Sequence, residues 1–235
     1  MDWLTFLLMM GMVLPGILFM AWRESKIVKL LKPEEEEIPF SVSFITHLIM
    51  VTPFALAGAW TYDDAGFKKP SFSEVNSTVL LIGFVCALIH LLYYYGYIVK
   101  HTEKDTIKRI DTVRKELGIM PRIFYGGVVE EVIFRWGVVS ILVWATSFLI
   151  GRIDLTYWIA ILISSLLFAL FHLPGAYQIV DKLTPVLRTY VIFANMFVGI
   201  CCGWLFWKYG LLAAISCHML FHFIWYLYEK VSSKT

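Results

Sequence analysis

Runs of about 20 predominantly apolar residues recur from one end of this chain to the other, and nothing else in the sequence limits the fold so strongly. That length matches the hydrocarbon core of a bilayer when it is wound as a helix. The seven best runs cover roughly residues 3–22, 41–60, 76–99, 122–150, 155–173, 186–207 and 211–229. The reading is an all-α, polytopic transmembrane helical bundle of seven spans, or eight if the long fourth run divides. As one straight helix that run would reach about 43 Å, so it either tilts or breaks near Gly137. No internal repeat or long linker interrupts the pattern, and residues 1–235 read as a single integral-membrane domain.

Composition supports this. A chain of 235 residues that is 59% hydrophobic and 16% charged lacks the polar surface a water-soluble domain needs. A net charge of +2 is too mild to point to nucleic acid. Cys86, Cys201, Cys202 and Cys217 lie inside apolar runs, with neither disulfide-framework nor zinc-knuckle spacing, and read as free thiols. The N-terminal "MDWLTFLLMMGMVLPGILFMAW" has no basic leader and no small-residue cleavage site, so it reads as a retained span.

The polar connections are informative. "KPEEEEIPF" after the first span reads as a solvated turn. In residues 101–120, Ile107, Ile110, Val113 and Leu117 recur at helical spacing against a basic face. Such a helix either lies in the headgroup layer or packs on the bundle. With the N-terminus outside, Arg23, Lys26, Lys29, Lys32, the basic residues of 100–122, Lys182, Arg188, Lys230 and Lys234 all fall on the cytoplasmic side. The outer side keeps only Lys68, Lys69, Arg152 and Lys208. This positive-inside bias puts the C-terminus in the cytoplasm and suits an odd number of spans.

Against that background, "YGGVVEEVIFRWG" places Glu130, Glu131 and Arg135 in the middle of an apolar run, where ionisable groups are costly. Residues four apart share a helix face, so Glu131 and Arg135 can neutralise each other. Glu130 points elsewhere and is free to act. Gly126 and Gly127, a turn earlier, let another helix approach closely. His172 ends the fifth run in "LLFALFHLPG", where Pro174 and Gly175 are expected to stop the helix, and His218 and His222 share one face of the seventh. By helical rise from the cytoplasmic ends, Glu130, His172, His218 and His222 all fall in the inner half of the bilayer. His47 and His90 lack partners at a useful spacing and read as structural.

"EEVIFR", "FALFH" and "HMLFH", in that order, resemble the three motifs of the CAAX prenyl protease and bacteriocin-processing (abortive-infection) family of intramembrane glutamate endopeptidases. The resemblance covers about residues 120–226, within a motif-bearing core of 120–229. The N-terminal spans of 1–99 carry no assigned motif. It implies that Glu130 and His172 activate a water while His218 and the residue at His222 stabilise the oxyanion. Glu131, Arg135 and Phe168 would support them. The substrate implied is a membrane-associated peptide or protein, lipidated or not, met among membrane lipids and without nucleic acid. Mild charge, the Tyr-rich third run ("LLYYYGY") and abundant Met suggest a bacterial plasma membrane, and the depth of the four residues opens the site toward its cytoplasmic half. No cofactor and no metal is expected.

One residue departs from the family pattern. His222 stands where asparagine is usual. An imidazole can still donate one hydrogen bond to an oxyanion. The change also creates His218-x-x-x-His222 beside Glu130 and His172, a set from which a zinc-dependent membrane protease could be built, although the H-E-x-x-H helix is missing. The competing classes are a non-catalytic scaffold or immunity protein that retains the fold, and a transporter. The lack of a repeat disfavours the transporter.

Overall fold

The computed structural model describes residues 1–180 and 182–232, and Lys234, counted above among the inner basic residues, lies outside them. Among the described residues the protein is helical throughout, with no strand. Seven helices are long and apolar enough to cross a membrane: α1 (Trp3–Leu31), α2 (Phe40–Thr61), α3 (Ser77–His101), α5 (Ile119–Ile150), α6 (Asp154–Ile179), α7 (Pro185–Lys208) and α8 (Leu211–Ser232). Between α3 and α5 lies the short α4 (Lys104–Leu117).

The ends of the helices follow from local chemistry. Asp2 caps α1 by accepting from the Thr5 amide at 3.1 Å, and the Lys69 ammonium, 2.7 Å away, holds that carboxylate. Asn76 accepts from the amides of Thr78 and Val79 at the start of α3. Glu74 reaches across the fold to accept from the Leu212 amide at 2.7 Å, capping α8 from outside its own sequence. Gly118, with φ +73°, makes the left-handed turn that ends α4 before α5 begins.

Two expectations about helix continuity are refined. The fourth run does not break at Gly137. It continues through two π-helical segments, Arg122–Val129 and Val132–Val139, in which the backbone bonds reach five residues instead of four. The fifth run does stop, at His172, but Pro174 does not end helical structure. A second piece, Leu173–Ile179, starts immediately, with the proline in its first turn, where no backbone donor is needed.

α5 is the hub. Its first half packs against α1 and α8 and its second half against α2 and α6. Large apolar side chains turned away from this centre, including Leu7, Ile49, Leu92, Phe148 and Phe193, are exposed. So large an apolar exterior calls for lipid, and the bundle is that of an integral membrane protein. α4 packs on the bundle: Val113 is buried and Ile107 and Ile110 rest against the core. Its Arg114 sits 2.7 Å from Glu229 of α8. Cys86, Cys201, Cys202 and Cys217 are free thiols.

The α2–α5 contact is close enough to depend on one missing side chain. A Cβ at Gly58 would fall on the ring and carbonyl of Trp136, whereas one at Gly11 would meet nothing within 4 Å. Gly58→Val is expected to cost about 1–3 kcal/mol through overpacking. Thermal unfolding in detergent should show that loss, with Gly11→Val close to wild type.

Candidate active site

The site grows from one fully buried carboxylate. Glu131 and Arg135 are 0% and 1% exposed, one turn apart on α5, with Arg135 Nε 3.1 Å from Glu131 Oε2. The second glutamate oxygen, Oε1, lies 2.7 Å from Nδ1 of His218 on α8. A carboxylate only accepts, so this imidazole donates its Nδ1 proton to it. Arg135 also donates to the Gly199 carbonyl of α7 at 3.2 Å, and its guanidinium lies over the Phe168 ring of α6 at 5.0 Å. One ion pair therefore ties four helices together.

Glu130, the next residue, points to a different side, into a cavity of about 340 Å³ that His172, His218 and His222 also line. His172 Nδ1 sits 2.7 Å from the Phe168 carbonyl. A carbonyl cannot donate, so Nδ1 carries the proton and Nε2 presents a lone pair. That nitrogen lies 4.0 Å from Glu130 Oε1. The gap is too long for a direct hydrogen bond and short enough for one water to bond both atoms. His222 stacks on His218, with ring centroids 4.9 Å apart. Its room comes from Gly126: a Cβ there would lie 2.6 Å from His222 Nε2. Phe168 packs edge-on against His172, centroids 4.5 Å apart, and also meets His218 at 5.9 Å.

Of the residues singled out in the sequence, Glu130, His172, His218 and His222 thus share one cavity, and Glu131 and Arg135 stand behind it. Three further contributors were not legible. Cys202 of α7 joins Glu131 and His218 in a buried group whose ligand atoms all lie within 4.8 Å of one another. His47 has a partner after all, the Tyr125 hydroxyl at 2.8 Å, and His90 bonds the Tyr190 hydroxyl at 2.7 Å. The partners stand 78 and 100 residues away, beyond any local spacing signal.

Among the described residues, the set with metal-ligand spacing is Glu131, Cys202 and His218, and not the histidine set considered from the sequence. Carboxylate, thiolate and imidazole are donors that zinc accepts. Arg135, however, already occupies one oxygen of that carboxylate, so the guanidinium and an ion would compete for the same charge.

Comparison with known proteins places this site in context. Residues 115–224 match the family model described as type II CAAX prenyl endopeptidase Rce1-like. The matched stretch runs from the end of α4 into α8 and takes in Glu130, His172, His218 and His222, leaving the first three spans, and with them His90 of the same cavity, outside it. No curated protein and no solved structure matches the chain. The class defined is a membrane-embedded helical bundle with a hydrolase-family stretch and a buried Glu/Cys/His cluster.

Removing one partner of a buried ion pair leaves the other charge uncompensated, at about 3–5 kcal/mol. Arg135→Met should therefore lower stability strongly in detergent unfolding. Glu130→Gln, which changes a group on the cavity wall, should stay within about 0.5 kcal/mol of wild type.

Proposed function

We propose that this protein is an intramembrane endopeptidase that cleaves a membrane-associated peptide or protein from the cytoplasmic half of the bilayer. The observation that carries this reading is the 4.0 Å approach of His172 Nε2 to Glu130 Oε1 in a cavity also lined by His218 and His222. Two acceptors at that separation hold a water by both of its hydrogens and leave its lone pairs free to attack a carbonyl carbon. Glu130 takes the proton released on attack and returns it to the leaving nitrogen. His222 and His218 face the developing oxyanion. His218 spends Nδ1–H on Glu131, so it donates from Nε2 when the ring carries both protons.

The remaining elements of the reading follow from the sequence. Residues 1–235 act as one domain, the N-terminus lies outside, and the membrane is a bacterial plasma membrane. The positive-inside distribution supports the orientation. The mostly apolar cavity wall suits an extended, membrane-borne substrate, lipidated or not.

The reading is tested by terminal-peptide mass spectrometry of membranes from cells making wild type or Glu130→Gln at equal levels. Loss of a general base lowers turnover by about 10²–10⁴-fold. New termini should appear with wild type and be absent with the variant. Identical profiles would favour the scaffold reading. A chelator such as 1,10-phenanthroline should leave the wild-type profile unchanged, whereas a zinc-activated water would be lost with the metal.

A further inference from the structure

We infer that Glu24, His47 and Tyr125 form a proton relay linking the cavity of Glu130 to the groove that Glu24 shares with Lys32 and Glu35 on the same side of the bundle. The inference rests on the hydrolase reading above and assigns a role to α1 and α2, which carry none of its motifs.

The three side chains come from three helices and meet in sequence. The Tyr125 hydroxyl of α5 lies 2.8 Å from His47 Nδ1 of α2, and the rings pack edge-on with centroids 4.9 Å apart. His47 Nε2 lies 3.4 Å from Glu24 Oε2 of α1, and the Ser43 hydroxyl donates to that same oxygen, holding the carboxylate in place. Side-chain exposure falls from 33% at Glu24 to 14% at His47, and Tyr125 is buried. The path therefore runs from surface to interior.

Both ends are connected. At the inner end, Tyr125 and Glu130 line the same cavity, and the Glu130 amide donates to the Tyr125 carbonyl. That five-residue bond of the π-helical turn stacks the two residues on neighbouring turns, where an α-helix would splay them apart. At the outer end, Glu24 lines a groove with Lys32 and Glu35, of about 470 Å³. Met20, Val113, Leu117 and Ile179 border both spaces, so the wall between them is thin and apolar. A proton crosses such a wall only along hydrogen-bonding groups.

Hydrolysis supplies the proton. Water adds to the peptide carbonyl, the C–N bond breaks, and the products are a carboxylic acid and an amine. Glu130 has passed the first water proton to the leaving nitrogen. The new acid then gives its proton to Glu130, which must lose it before the next turnover. Through water in the cavity, Tyr125 oxygen gains that proton and hands its own to His47 Nδ1. His47 releases its Nε2 proton to the Glu24 carboxylate, and Glu24 yields it to the groove. One proton enters and one leaves, with no change of oxidation state.

The test uses isolated membranes and the rate at which Glu130-dependent new termini appear. His47→Ala should slow that rate by roughly 10-fold or more. Added 4-methylimidazole, small enough to fill the vacated space and able to carry the proton, should restore it in part. His47→Gln keeps a hydrogen-bond partner for Tyr125, fills the space and carries no proton, so it should stay slow with or without the additive. Tyr125→Phe should be slow in the same way. A His47→Ala rate equal to wild type overturns the relay, as does a slow rate that 4-methylimidazole leaves unchanged, which would mark His47 as a purely structural support. If wild type and Glu130→Gln give identical termini, the hydrolase reading itself fails, and the relay falls with it.

Discussion

A carboxylate with no exposed surface cannot stay ionised in the centre of a membrane protein unless positive charge and donors surround it, and the rest of this fold is arranged around that requirement at Glu131. Arg135 meets it from the next turn of α5 and His218 meets it from α8. Arg135 in turn reaches the Gly199 carbonyl and the face of Phe168. Each contact sets the height of one helix relative to α5. The neighbouring Glu130 inherits its position from this arrangement, because a residue adjacent to a fixed one on a helix has a fixed direction of its own. The cavity is thus a consequence of how the buried charge is balanced.

The second organising feature is the widened backbone of α5. Its π-helical segments flank the two glutamates and change which residues share a face. They bring Tyr125 into line with Glu130, while the absent side chain at Gly126 admits the His222 ring. A regular α-helix of the same sequence would present a different set of groups to the cavity. The position of these wide turns beside the polar cluster fits the tendency of such segments to occur at functional sites.

The sequence was most legible where the physics is local. Span lengths follow from hydrocarbon thickness, and the pairing of Glu131 with Arg135 follows from four-residue spacing. Legibility failed where a contact joins distant segments. The partners of His47 and His90 lie on other spans, and the apolar runs around both histidines look alike whether or not a partner waits across the bundle. The bond from His218 to Glu131 was hidden for the same reason. It alters the chemistry, because it leaves only Nε2 of that ring for the cavity.

What the sequence determined by itself is therefore the number of helices, their apolar character, and the inventory of ionisable groups the membrane would tolerate only in compensated form. These depend on the solvent and on spacing along one helix. The tertiary structure decided which glutamate is neutralised and which faces the cavity, which nitrogen of His172 and of His218 is committed, and that Cys202, Tyr125 and His47 belong near the site. These depend on how far apart two helices sit and how each is rotated, quantities set by the packing of the whole bundle and carried by no single stretch of chain.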